Sequence, residues 1–154
     1  MSRSSISIDV AAPPAMVFEL AGQLPRWAEL LPHYRSVTVE SRNGRMLVAR
    51  MAARRPGIVS IPVWWRAEHW PDASNRDDLQ LHFRHVGGVT RGMAVVWHIR
   101  PAGQGTRVTI VHDFSRRIAL LRPSFLPRLI DRLFIRPIAG RTLATFKALA
   151  EGGG

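Results

Sequence analysis

The sequence contains no cysteine. That excludes disulfides, a thiol nucleophile and cysteine-ligated zinc, and it suits a cytoplasmic location. Lysine is almost missing as well: of 22 basic residues, Lys147 alone is not an arginine. Acidic residues number only 11, so the net charge is +11. No apolar run approaches the ~20 residues that a membrane span requires. Residues 1–5 are not followed by a signal-peptide core, so stable membrane insertion is not expected. There is no Gly-x-Ser-x-Gly motif and no phosphate-binding glycine loop, which weighs against hydrolytic and nucleotide-dependent chemistry. The arginines form no dense cluster, and neither helix-turn-helix nor zinc-finger spacing is present. The surplus charge therefore reads as solvated sheet faces rather than a nucleic-acid surface. It implies a general attraction for anions, including an acidic protein or a phosphorylated carrier.

What the chain does have is alternation. Residues 93–100 place Met93, Val95, Trp97 and Ile99 on one face, with His98 and Arg100 on the other. Residues 107–114 set Val108, Ile110, His112 and Phe114 against Arg107, Thr109, Val111 and Asp113. A period of two over both arms predicts strands buried on one side. Gly103 and Gly105 supply the turn between them, and Pro101 is expected to end the first ladder.

The rest of the chain follows suit. Ile6, Ile8 and Val10 alternate with serines and Asp9, and Pro13 and Pro14 then suit a helix start. A short helix through Met16, Val17 and Leu20 is expected to end at Gly22, and a second to run from Pro25 to about Leu31. Asn43-Gly44 between alternating runs predicts a hairpin, and further strands are expected over 61–70 and 79–86. A connector over 115–127 mixes arginines with Ile118, Leu120, Leu121, Phe125 and Leu126. From Arg128 to Glu151 the apolar spacing becomes helical, with Ile135, Ile138, Thr142, Phe146 and Leu149 on one stripe. Pro137 and Gly140 are expected to kink or split that helix. The expected organisation is one α+β domain over residues 1–151, with 152–154 as a tail. Its order is one strand, two short helices, about six antiparallel strands and a long helix. A sheet covered mainly by one helix leaves a gap, and such gaps become ligand cavities.

That order, with four stretches of sequence, resembles the START-like (Bet v 1-like, helix-grip) superfamily and, within it, the bacterial polyketide cyclase/aromatase group. The stretches are Ile8-Asp9-Val10-Ala11-Ala12-Pro13 with Val17-Phe18; Trp27 followed by Leu31-Pro32-His33-Tyr34-Arg35-Ser36-Val37; residues 92–97; and Gly105-Thr106 leading to Asp113-Phe114. The resemblance implies a helix-grip fold: a curved antiparallel sheet of about seven strands around a long C-terminal helix, with an internal cavity. It implies a poly-β-ketone substrate tethered to an acyl carrier protein, and ring closure and dehydration without a cofactor. Tyr34 stands where the family places its pocket tyrosine, and Trp27 matches an upstream tryptophan. The family's arginine on the strand equivalent to 63–70 is replaced here by His69.

Strand parity shows which groups face inward. Val63, Trp65, Ala67 and His69 share a face opposite Trp64, Arg66, Glu68 and Trp70, and the charged pair belongs outside. His85 sides with Leu79, Leu81 and Phe83, and His112 with Val108, Ile110 and Phe114. His82 and His98 are expected to face solvent. A neutral imidazole suits proton removal between two carbonyls, and a phenol suits the enolate that results. Tyr34 and His69 are thus the candidate catalytic residues. Trp27, Trp65, His85, Trp97, His112, Phe114 and Phe146 are the candidate substrate-binding residues. Each histidine could equally be a hydrogen-bonded core residue. Three inward histidines could also ligate a metal, but they come from separate strands and no inward carboxylate orients them, so none is expected. A non-catalytic carrier of a quinone or lipid is the alternative, with the connector either a gate or a peripheral contact with anionic membrane. A monomer or homodimer is expected.

Overall fold

The computed structural model describes residues 3–56, 60–88, 90–114 and 129–152. The connector expected over 115–127 and the last two glycines lie outside the described residues. Strand β1 (Arg3–Val10) leads into α1 (Pro14–Ala21), where Pro14 takes a first-turn position that needs no N–H. A 3-10 turn (Leu24–Arg26) runs directly into α2 (Trp27–Leu30). Six strands follow: β2 (Tyr34–Asn43), β3 (Met46–Arg54), β4 (Pro62–Asp72), β5 (Leu79–Gly88), β6 (Ala94–Ala102) and β7 (Gly105–Asp113). A π-helical turn (Asp131–Ile135) then opens into α3 (Arg136–Gly152).

The strands form one antiparallel sheet in the order β1-β7-β6-β5-β4-β3-β2. It is a six-stranded meander with β1 laid beside its last strand, Ile8 opposite Val108. Register shifts at Tyr34/Ser36, Val39/Ser41 and Arg66/Ala67 mark bulges, which curve a sheet. The inner face reads as the alternation predicts. Leu47, Ala49 and Met51, Leu81 and Phe83, Val95, Trp97 and Ile99, and Val108 and Ile110 are all buried. On the outer face the charges pair across strands. Arg66 donates to Glu40 at 2.6 Å, Arg107 pairs with Asp9 at 2.9 Å, and Arg84 pairs with Glu68. His98 sits outside as expected, 3.0 Å from Asp78.

Three details differ from expectation. Pro101 does not end the β6 ladder, because it stays in register with Thr106. The β5–β6 pairing has already stopped at Ile99, so one side of Pro101 has no neighbour, and a residue without N–H is tolerated there. The C-terminal helix is not split at Pro137 and Gly140. Its irregularity comes earlier, as the π turn just before Pro137. Proline cannot bond to the carbonyl four residues back, and its ring would strike it. That carbonyl belongs to Leu133, and it accepts from Arg55 Nε instead. Finally, Gly152 closes α3 rather than belonging to the tail.

Polar ties hold α3 against β1. Lys147 Nζ donates to the Asp9 carbonyl at 2.6 Å, and the Ala11 N–H donates to Glu151 at 2.8 Å. At the other end Ser4 donates to Asp131 at 2.9 Å, and Arg136 donates to the Ser5 carbonyl at 3.1 Å. The helix thereby turns Ile138, Ala139, Thr142, Leu143 and Phe146 toward the sheet.

Candidate functional site

Between the inner face of the sheet and the start of the C-terminal helix lies a cavity of about 210 Å3. The sheet contributes Met51, Val63, Trp65, Phe83, Val95, Trp97 and Ile110, and the helical side contributes Ile130, Phe134, Ile135, Ile138 and Ala139. Trp27 closes one end. Its Nε1 donates to the Ala21 carbonyl at 2.9 Å, and its ring packs within 5.3–5.7 Å of Tyr34, Phe83, Trp97 and Phe146. The interior is therefore partly filled by aromatic rings and partly open, a mostly apolar hollow with few polar groups.

Apart from indole nitrogens, the hydrogen-bonding side chains on the described walls are Tyr34, His85, Thr90, His112 and Thr142. No charged side chain is among them. Tyr34 opens β2, and bulged pairing turns it inward. Trp65 stands between Tyr34 and His85, 5.9 Å from the phenol ring edge-on and stacked on the imidazole at 5.8 Å. His85 Nδ1 is 2.6 Å from the Thr90 hydroxyl. Its Nε2 makes no hydrogen bond among the described residues. The two histidines flank β6: His85 exchanges backbone bonds with Gly92 and Met93, and His112 lies opposite Val95. His112 Nδ1 is buried without a partner among the described residues.

Burial sets the protonation of all these groups. It lowers His85 to about 3, helped by the nearby His112. It lowers His112 to about 4, with the Arg136 charge adding to the effect. Burial raises the Tyr34 phenol well above its usual value, against the opposing effect of a hydrogen bond with Thr142. At neutral pH the hollow thus presents two uncharged imidazoles and a phenol that keeps its proton. Among the described residues, no three His, Asp or Glu side chains converge to hold a metal ion.

Residues 1–151 match the family described as polyketide cyclase/dehydrase and lipid transport. The chain belongs to that family. It is 30% identical over 112 residues to a Streptomyces cyaneus protein named "Putative polyketide cyclase", covering 71% of this chain and 70% of the relative. Among solved structures, an aromatase/cyclase of Streptomyces sp. R1128 superposes with a TM-score of 0.78 at 19% identity, over 99% of this chain and 98% of the other. A protein from Thermus thermophilus gives 0.74 at 23% identity, over 95% and 94%. A STAR-related lipid transfer protein of Xanthomonas axonopodis gives 0.67 at 12%, over 95% and 84%. The fold is the START-like helix grip.

In this polyketide cyclase/dehydrase family member, the expected site residues separate into two groups. Trp27, Tyr34, Trp65, His85, Trp97 and His112 line the cavity. His69, expected to reach the substrate, is not among the residues that line the cavity. It points inward and is buried, but its Nδ1 donates to the His82 carbonyl at 3.0 Å and its ring packs on Phe83 at 4.4 Å. Phe83 lies opposite His69 on the neighbouring strand and itself lines the cavity, so it fills the space between. Phe114 and Phe146 are buried but stand behind the lining. Phe146 instead supports Trp27 and Trp97. Trp64, expected on the opposite face, also lines the cavity while its ring lies under Arg50, and Trp70 stacks against His82. Thr90 and Thr142 were not foreseen as site groups. Thr142 carried a signal, being the one hydroxyl on the apolar stripe of the helix, whereas Thr90 lies in a loop with no period to read.

Proposed function

We propose that the chain is a polyketide aromatase/cyclase-like protein. It takes a hydrophobic poly-β-ketone or aromatic intermediate into the cavity and promotes aldol cyclisation and dehydration. One observation carries the reading: an uncharged imidazole, His85, and a protonated phenol, Tyr34, on either side of Trp65 in a hollow without charged walls. His85 Nε2 takes the proton from a carbon between two carbonyls, and the enolate attacks a carbonyl further along the chain. The Tyr34 hydroxyl donates a hydrogen bond to the oxygen that gains charge. An imidazolium formed in so dry a place is a strong acid, so it returns its proton to the new alkoxide. Loss of that hydroxyl as water, with a second proton leaving the adjacent carbon, gives a cyclic enone, which becomes aromatic as its remaining ring ketones enolise. His112 lines the same cavity and is near enough to His85 to lower its proton affinity further. An acyl carrier protein is the proposed partner, an acidic partner being matched by a net charge of +11.

The apolar walls also favour a second reading, a carrier of an uncharged quinone or lipid, and the family's description includes lipid transport. The readings separate in a reconstituted polyketide synthase. Tyr34→Phe and His85→Gln are each expected to lower formation of the cyclised product by ~10²–10⁴-fold, with binding of an aromatic product retained. His69→Gln is expected to leave the product pattern unchanged. Unaltered rate and ring pattern in both Tyr34→Phe and His85→Gln would discard catalysis and leave the carrier.

A further inference from the structure

A second pocket, of about 370 Å3, lies where the end of β3, the residues before β2 and α3 meet. His33, Arg54, Arg55 and Arg141 line it together with Ser60. Backbone bonds fix the corner: the Arg54 N–H donates to the His33 carbonyl at 2.8 Å, and the Arg55 N–H to the Ile61 carbonyl at 2.9 Å. Arg55 spends its Nε on the Leu133 carbonyl. Arg54 and Arg141 have no ion pair among the described residues, in contrast to Arg66, Arg84 and Arg107. All 11 acidic residues of the chain are described, and none lines this pocket. Three arginines share the walls of this hollow with no carboxylate among them, so the local field favours an anion.

His33 adds a second and independent observation. The Thr142 hydroxyl donates to the Ile138 carbonyl at 2.8 Å. It must therefore accept from His33 Nε2, also at 2.8 Å, which places the ring proton on Nε2. His33 is buried, and its Nδ1 has no partner among the described residues. Burial, with the neighbouring Arg141 charge adding to it, holds the ring neutral, at about 4. A dianion in the pocket reverses that balance, because it favours a second proton on the imidazole.

We propose that this pocket binds a phosphate group, as inorganic phosphate or as a phosphate monoester. Guanidinium forks match phosphate oxygens two at a time, and the volume leaves space beside the ion for the esterified part. The proposal does not rest on cyclase chemistry, since no residue lines both hollows; they meet where His33 bonds Thr142 and its ring lies edge-on to Tyr34 at 4.9 Å.

The test is an NMR titration of the full chain with inorganic phosphate and, separately, glycerol 3-phosphate. Saturable shifts at Arg54, Arg141 and the His33 ring are expected, with the His33 pKa rising on saturation. Arg54→Gln and Arg141→Gln are each expected to weaken binding by roughly tenfold or more. Arg45→Gln, an equal loss of charge in the β2–β3 turn, is expected to leave it unchanged. Tighter binding of glycerol 3-phosphate assigns the site to an ester, and equal binding assigns it to the free ion. Equal weakening in all three variants would reduce the effect to net charge and overturn the site, as would shifts that never reach His33. Product formation by the cavity is read separately, so failure here leaves the cyclase reading standing.

Discussion

His85 and His112 are neutral because they are dry, and this makes stability depend on pH in a stated direction. Above about pH 6.5 the imidazoles are neutral in both folded and unfolded chains. As pH falls, the unfolded chain binds protons that the folded chain refuses until about 4 at His112 and about 3 at His85. Stability is therefore full above pH 6.5 and declines through that window, by at most about 1.4 kcal/mol per pH unit for each histidine. Denaturant midpoints measured from pH 7 to pH 4 should show the decline, and His112→Gln should make it shallower by one histidine's share, the other buried histidines keeping theirs. A second expectation concerns Thr90, whose hydroxyl lies 2.6 Å from His85 Nδ1. Thr90→Val leaves that nitrogen without a partner and should destabilise by about 1–3 kcal/mol, read from the same midpoints. Strand parity showed which histidines point inward. It did not show where along the strand the hollow begins, because that depends on Phe83 from the next strand. His33 was not legible as a site group for a different reason: it precedes β2, outside any alternating run.

Among the elements, two local breaks shape the site. At Gly88, φ is +88°, and an added Cβ would lie 2.6 Å from the Trp64 carbonyl oxygen. That glycine lets β5 press against the backbone of Trp64 and Trp65, beside the ring that stacks on His85. Gly88→Ala combines an unfavourable backbone with a backbone clash, and a loss of ~1–3 kcal/mol is expected with a disturbed Trp65 environment in near-ultraviolet circular dichroism. At the other break, Pro137 was legible as a helix irregularity. The sequence could not say that the chain would widen into a π turn upstream, since the compensating donor, Arg55, lies just beyond the end of β3. Phe146 needs no such partner search. It is buried against Trp27 and Trp97, and Phe146→Ala should cost about 3–5 kcal/mol in thermal or chemical unfolding.

At the scale of the molecule, the sheet was the most legible part, because one-sided burial writes itself into the sequence as a period of two. The order of elements then implied one helix across one face and a space beneath it. The size and lining of that space were not legible, since they depend on how the Trp27 aromatic cluster packs across elements far apart in sequence. The account stands on His85 and His112 facing a guest molecule while His69 is walled off behind Phe83. The most direct test is a titration with an uncharged aromatic such as 1-naphthol, following the histidine ring resonances by NMR. The account predicts saturable shifts at His85 and His112 with His69 unmoved. Shifts at His69 with His85 and His112 silent, or no shifts at any of the three, would contradict it.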